Sequence, residues 1–125
     1  MKPKTTDASR RNIQRFVGDL FWFDAGSEQF ALGQVIRAIL RPMEFAVDFR
    51  TSSGLYSAVL KKQPNGEFRG AWEGADEGGN TDRGRAACFL HAENGRTCLN
   101  GKWSADREWR WFGDLRPVAA FPDEE

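Results

Sequence analysis

The chain has 125 residues, enough for one domain with a sizeable core, and its 40% hydrophobic and 29% charged residues are typical of a globular protein. Eighteen basic residues balance eighteen acidic ones, so the sequence lacks the basic excess expected of a nucleic-acid-binding protein. No apolar run approaches the roughly 20 residues of a membrane-spanning helix, and residues 1–7 lack the apolar stretch of a signal peptide, which predicts a cytoplasmic protein with neither nucleic acid nor membrane as its partner.

The two ends of the chain differ in charge. Residues 1–12 carry Lys and Arg, whereas residues 119–125 end in consecutive acidic residues. Terminal segments of this composition are usually solvated. We therefore expect a single domain over residues 1–125, with a loose basic arm at 1–12 and a loose acidic tail at 119–125.

The first element is predicted over Gln14–Asp24. Bulky apolar residues occupy alternate positions there, which is the period of a β-strand. The same residues also offer a helical stripe. Gly18 and Asp19 are unfavourable inside a helix, however, and the aromatic run favours a strand. We predict a strand.

The next segment, Ser27–Arg41, has the period of an amphipathic helix. Its apolar residues recur at intervals of three and four, and they are Leu32, Val35, Ile36, Ile39 and Leu40. Ser27 is a suitable N-cap, and Pro42 ends the segment. A strand would place Gln34 inside and Val35 outside the sheet. The pattern therefore predicts one helix near residues 27–41.

Strands and turns follow Pro42, beginning with an alternating strand over residues 43–50. The next turn has Asn65 in a type I turn and Gly66 as its left-handed bulge residue. The register that results pairs Leu60 with Gly70, Ala58 with Trp72 and Tyr56 with Gly74. It gathers the apolar residues of this hairpin on one face, which a plain two-residue turn would not do.

A flexible loop is predicted over Glu73–Arg83 because of its glycines and charges. A second hairpin follows, with Asn94 and Gly95 as its type I′ turn. The last strand is predicted over Trp109–Val118.

The register of the second hairpin also places the two cysteines. Cys88 lies opposite Gly101 on the inner face, whereas Cys98 lies opposite His91 on the outer face. Thiols on opposite faces of one hairpin cannot form a disulfide. Both are predicted to be free, with Cys88 buried and Cys98 more accessible.

Four glycines each lie between two bulky apolar residues at strand period. The copies are Phe16-x-Gly18-x-Leu20, Phe68-x-Gly70-x-Trp72, Leu99-x-Gly101-x-Trp103 and Trp111-x-Gly113-x-Leu115. Glycine inside a strand marks a bend or a close approach. The chain is therefore predicted to have an α+β, mostly β fold. Its strongly curved antiparallel sheet has about seven hairpin-connected strands in a partly or fully closed barrel, with the helix packed against it.

The aromatic residues of this curved sheet are the best candidates for function. We predict a non-enzymatic binding module that holds a small molecule or a peptide on its concave face. The candidate ligand-binding residues are Tyr56, Trp72, Trp103, Trp109, Trp111 and Arg110. Arginines recur on the same strands, which favours a planar or anionic ligand. Simple packing of a core is the competing interpretation of the same rings.

A protein-interaction protein, such as an inhibitor, an immunity-type protein or an accessory subunit, is the alternative function. It would use the last strand, which places Trp109 on one face and Phe112 on the other. Catalytic motifs are absent from the sequence. The pair formed by Cys98 and His91 lacks an orienting third group. We predict no enzymatic activity, no metal site and no cofactor.

Overall fold

The computed structural model describes residues 13–24, 30–104 and 108–121, and in it eight antiparallel strands form a closed barrel. The strands are β1 (Gln14–Asp24), β2 (Phe30–Arg41), β3 (Glu44–Arg50), β4 (Gly54–Lys62), β5 (Phe68–Asp76), β6 (Thr81–Glu93), β7 (Arg96–Ser104) and β8 (Glu108–Val118). Each strand pairs with the next in sequence, and β8 pairs with β1. The predicted β fold is confirmed, and the sheet closes completely.

The interior is filled by every second residue of each strand, because side chains alternate between the two faces of a sheet. The largest fully buried side chains on the strands are Trp111, Phe16, Phe45, Phe49, Leu20, Leu60, Leu99 and Leu115. Three of the four glycine-centred motifs have both bulky residues buried, and in the fourth Trp103 is half-buried. These motifs therefore point into the barrel.

Both predicted hairpin registers are confirmed. In the first, Tyr56 pairs with Gly74 and Ala58 with Trp72, and Gly66 has a φ of +91° as the bulge residue. In the second, Cys88 pairs with Gly101. Its turn residues have φ values of +53° and +78°, as a type I′ turn requires.

The predicted helix near residues 27–41 is wrong, because Phe30–Arg41 is strand β2 and residues 27–29 lie outside the described part of the chain. A β-bulge explains the error. Val35 pairs with Phe49 and Arg37 pairs with Asp48, the residue adjacent to Phe49 on β3. Ile36 is therefore an extra residue in β2 without a partner of its own on β3. The bulge places Val35 and Ala38 on the same face, three positions apart, which imitates a helical period.

Two further expectations need correction. The barrel has eight strands rather than about seven, because the segment predicted as a helix supplies one. The loop predicted over Glu73–Arg83 is also shorter than expected, because β5 continues to Asp76 and β6 begins at Thr81. The strand predicted over Gln14–Asp24 is confirmed.

The charged ends of the chain are described only in part. The basic arm at residues 1–12 lies outside the described residues, as do residues 122–125 of the acidic tail. Phe121 is 1% exposed, and the guanidinium carbon of Arg37 lies 4.8 Å from the centroid of its ring. In the described ranges, no helix has the length and apolar character needed to cross a bilayer.

The inward-facing glycines allow strands and rings to approach closely. A Cβ at Gly70 would lie 2.0 Å from the carbonyl oxygen of Val59. The lack of a side chain at Gly70 therefore lets the backbones of β4 and β5 approach closely. A Cβ at Gly101 would lie 2.6 Å from the indole nitrogen of Trp111, so that glycine also accommodates a ring. Gly70 therefore allows two strands to approach closely, and Gly101 allows both such an approach and the placement of a ring.

Candidate functional site

One end of the barrel holds a cavity of about 210 Å³ whose lining is mostly aromatic. The aromatic residues there, which we call the aromatic mouth, are Trp22, Tyr56, Trp72, Trp103 and Trp109. Thr51, Ser53 and Asp82 complete the lining. Most of these residues lie near the end of a strand or in the turn between β3 and β4, whereas Trp72 lies in the middle of β5. Residues from six strands and one turn therefore meet around one opening.

Glycines on neighbouring strands make room for the rings of the aromatic mouth. Gly74 pairs with Tyr56 on one side and with Asp82 on the other, and a Cβ at Gly74 would lie 2.1 Å from the Tyr56 ring. A Cβ at Gly33 would similarly lie 2.8 Å from the Trp22 ring. The Tyr56 and Trp22 rings therefore occupy space that the side chain of any residue other than glycine at positions 74 and 33 would fill.

Trp103 is the central ring of the aromatic mouth. Its centroid lies 4.9 Å from that of Trp72, 5.6 Å from that of Trp22 and 6.5 Å from that of Trp109. The corresponding planes are inclined by 43°, 63° and 79°. Inclined rings direct their faces in different directions, so these rings form the walls of a box rather than one stack.

The indole N–H groups differ in their hydrogen bonding. Trp72 Nε1 donates to the carbonyl oxygen of Ser104 at 3.1 Å, and Trp111 Nε1 donates to that of Ala87 at 3.0 Å. Trp103 Nε1 is buried and has no acceptor within the part of the chain that the structure describes. A buried donor without a partner costs about 1–3 kcal/mol. The residue that destabilises the fold in this way is Trp103, the central ring of the aromatic mouth.

The polar groups of the mouth carry one negative charge. Asp82 accepts a hydrogen bond from the backbone N–H of Arg83 at 2.8 Å, and it has no ion-pair partner among the described residues. Ser53 Oγ lies 3.2 Å from the Tyr56 hydroxyl and 2.9 Å from Thr51 Oγ1. The described lining includes no Lys or Arg.

The structure brings together four of the six residues chosen from the sequence, namely Tyr56, Trp72, Trp103 and Trp109. Trp111 lies next to them but is 2% exposed, stacked on Trp103 at 6.4 Å with an interplanar angle of 11°. Arg110 alternates with these inward rings on β8, so it lies on the outer wall, where it pairs with Phe23 and Lys102.

Four lining residues were not predicted from the sequence, namely Trp22, Thr51, Ser53 and Asp82. Trp22 could have been predicted, because it continues the inward row of β1 and lies two residues from the end of that strand. Asp82 shares the inward face of β6 with Gly84, but it was assigned to a loop. The arginines that suggested an anionic ligand do not contribute to the described lining.

The cysteines occupy the predicted places. Both are free, with Cys88 buried and Cys98 exposed. Burial raises the pKa of the Cys88 thiol to about 12, so the thiol is neutral at ordinary pH. His91 pairs with Cys98 across β6 and β7, but its Nε2 lies 3.3 Å from a carboxylate oxygen of Glu93. Among the described residues, no three His, Cys, Asp or Glu side chains are grouped as a metal site requires.

The outer wall of the barrel offers two other features. A wide depression of about 1070 Å³ is crossed by outward polar residues of β2 to β6, namely Arg37, Asp48, Ser57, Glu73 and Arg83. It also shares Tyr56 and Asp82 with the lining of the aromatic mouth. Burial raises the pKa of Asp48, and the charge of Arg37 opposes that rise. Elsewhere an apolar row crosses neighbouring strands, where Leu32 pairs with Phe21 and Phe21 with Phe112.

Comparison with known proteins gives no match, since neither protein-family models, nor curated proteins, nor solved structures resemble this chain significantly.

Proposed function

We propose that this protein is a binding module that takes a small organic group into the aromatic mouth. The observation that carries the proposal is the cavity of about 210 Å³ walled by four of the five tryptophans of the chain and its single tyrosine. Protein cores are usually packed without voids of this size. Apolar cavities with a few convergent polar groups are the usual form of a ligand site.

The size of the cavity restricts the ligand. An apolar cavity of about 150 Å³ is known to take benzene, and pockets for drug-sized ligands measure about 300–1,000 Å³. A cavity of about 210 Å³ therefore suits a group of several heavy atoms. That group is either a small molecule or one side chain of a peptide whose remainder stays outside.

Three of the five rings are only half-buried, which supports binding over simple core packing. Tyr56, Trp103 and Trp109 pack against the buried core and line the cavity, yet part of their surface stays accessible. A ligand would cover that surface and gain the free energy of apolar burial. Deep in the barrel, Trp111 has no such surface and serves as a floor under Trp103.

Tryptophan fluorescence and thermal shift provide the test. We expect at least one compound from a panel of small cations, neutral molecules, anions and short peptides to change the emission and raise the melting temperature. A ligand present at 100 times its Kd should add about 2.7 kcal/mol to the free energy of unfolding. The absence of any response across the panel contradicts the proposal.

Two substitutions on β8 give a matched comparison. Trp109→Ala removes a wall of the mouth, so we expect it to abolish the response. Phe112→Ala removes an aromatic ring from the outer wall of the same strand, where it stacks on Phe23 at 5.8 Å. We expect Phe112→Ala to leave the response intact. Equal loss in both variants would place the ligand elsewhere.

The outer apolar row supports a second candidate function, the binding of a partner protein. Leu32 on β2 is 61% exposed, and its partner Phe21 on the neighbouring β1 is 36% exposed. Exposed apolar side chains on neighbouring strands are a feature of protein interfaces. In this case a partner that copurifies with the wild type should be lost in Phe21→Ser and kept in Trp109→Ala. The opposite pattern contradicts an interface on the outer wall.

A further inference from the structure

We infer that the ligand of the aromatic mouth is an organic cation, and specifically an alkylated ammonium group. This inference rests on the proposed function and specifies its ligand class. The juxtaposition that carries it is Asp82, a carboxylate without an ion-pair partner in the described structure, beside a box of inclined indole rings.

The charge of the site favours a positive ligand. Asp82 is the only ionisable acid or base among the described lining residues apart from the Tyr56 phenol. Its Oδ1 accepts the N–H of Arg83, and its Oδ2 has no hydrogen-bond donor among the described residues. Asp82 is itself exposed, so it lies at the rim of the cavity, where a negative charge attracts a cation and repels an anion.

The rings favour the same ligand. The face of an indole carries negative electrostatic potential, so a cation over it is attracted, and tryptophan is the best aromatic partner. Trp22 and Trp109 are inclined to Trp103 by 63° and 79°, so faces of more than one ring can surround a single group. Boxes of inclined aromatic rings are the usual means of recognising quaternary ammonium groups.

The scarcity of acceptors selects among cations. A primary ammonium has three N–H donors, which need hydrogen-bond acceptors when they leave water. The described lining offers Asp82 and the hydroxyls of Ser53, Thr51 and Tyr56, and these hydroxyls already contact one another. Alkyl groups on the nitrogen replace the donors with apolar surface that the rings can cover. The site therefore fits an alkylated ammonium better than a primary one.

Choline and its uncharged isostere 3,3-dimethylbutan-1-ol form the decisive pair of probes, because they have nearly the same shape. We expect choline to change tryptophan fluorescence and to bind at least tenfold more tightly than the isostere. We also expect tetramethylammonium to compete with choline. Choline affinity should fall as sodium chloride is added, since salt screens the attraction of Asp82.

Asp82→Asn tests the carboxylate with little change of shape. We expect it to weaken choline binding about tenfold, because the nearby charge is lost, and to leave the affinity of the isostere and the melting temperature close to those of the wild type. Glu77→Gln, in the turn before β6 and outside the lining, is the control and should bind choline normally.

The possible failures are distinguishable. Equal affinity for choline and its isostere, or undiminished choline binding in Asp82→Asn, overturns the cationic ligand but leaves a binding module in place. The same conclusion follows if only neutral or anionic compounds of the wider panel bind at the mouth. If no compound of any class binds, the inference and the proposed function both fail.

Discussion

Trp72 and Gly84 face each other across β5 and β6, and a Cβ at Gly84 would lie 2.7 Å from the Trp72 indole nitrogen. That nitrogen donates to the carbonyl oxygen of Ser104 at 3.1 Å. The same arrangement recurs at Gly101, where Trp111 Nε1 would be 2.6 Å from an added Cβ and donates to a backbone carbonyl at 3.0 Å. Each glycine leaves a passage through which a buried indole reaches the backbone of another strand.

Gly101→Ala should therefore destabilise the barrel by about 1–3 kcal/mol, as overpacking of a core does. The added methyl would meet both Trp111 Nε1 and the carbonyl oxygen of Ala87, so one of them must move and their hydrogen bond weakens. Urea denaturation measures the change. Gly78→Ala is the control, because a Cβ there makes only ordinary contacts, and we expect a change within about 0.5 kcal/mol. Equal stability of both variants would contradict the spacer role of Gly101.

Trp103 and Trp111 provide a second matched pair, because their rings stack on each other and only one N–H is satisfied. Trp111→Phe leaves the Ala87 carbonyl without its donor, whereas Trp103→Phe removes a buried donor that lacks an acceptor. Both changes remove similar ring area. We expect Trp111→Phe to be the more destabilising by about 1–3 kcal/mol, as measured by urea denaturation. The reverse order would show that the Trp103 N–H is satisfied in solution.

The two thiols should react at very different rates. At pH 8, a chromogenic disulfide reagent should modify Cys98 rapidly and Cys88 only after denaturant is added, because Cys88 is buried and its thiol is neutral. Cys98→Ser should abolish the rapid phase alone. Rapid modification of both thiols in the folded wild type would contradict the burial of Cys88.

The raised pKa of Cys88 also predicts a loss of stability in alkali. The ordinary thiol pKa is 9.0, and burial raises it to about 12 in the folded protein. The unfolded chain therefore loses this proton first, so the contribution of the neutral thiol is full below pH 9 and declines between pH 9 and 12. Cys88→Ala should show a shallower decline in the free energy of unfolding over that range. If the free energy of unfolding declines equally in the wild type and in Cys88→Ala, the raised pKa of Cys88 is contradicted.

Asp76 should stabilise the turn between β5 and β6 only when ionised. Its carboxylate accepts from the side-chain amide of Asn80 at 3.1 Å and from the backbone N–H of Asn80 at 2.9 Å, and these bonds lower its pKa. A lowered pKa adds stability above the ordinary value of 3.8, and this is lost as the pH falls through the folded value. Asp76→Ala should lower the melting temperature at pH 7 and have little effect at pH 2, whereas Glu77→Ala should have little effect at either pH. An equal loss at both pH values would contradict this account.

The sequence predicts local pairing well, because short turns determine it. The residues around Gly66 and Gly95 define the turn types, and the alternation of apolar residues then allows one register for each hairpin. The positions of both cysteines follow from the same register.

The error at β2 has a physical origin in its bulge. An extra residue at Ile36 shifts the alternation, so Val35 and Ala38 both face inward and the apolar pattern loses its period of two. Pairing with β1 and β3 on both sides then satisfies the backbone of the strand. These partners lie in the strands before and after β2, so the local propensity of residues 27–41 alone carries no information about them.

The aromatic mouth was predictable only in part for a related reason. Trp72 and Trp103 appear in equivalent motifs, so their common face could be inferred from spacing. Trp22 joins them because β1 closes on β8, where it pairs with Trp111. Asp82 joins them because β6 extends into a segment rich in glycine and acidic residues. The position of Trp22 therefore depends on closure of the sheet, and that of Asp82 on the length of β6.

The pairing of β1 with β8 also determines when the protein can finish folding. Gly18 pairs with Leu115, so β1 leaves the ribosome well before the strand that closes on it. Until β8 emerges, the nascent chain presents unpaired backbone on β1 and on β7, where other chains can add strands. Contacts between such distant residues also slow folding, typically to milliseconds or seconds in β-proteins. Translation rate and chaperone supply should therefore affect the yield of this barrel.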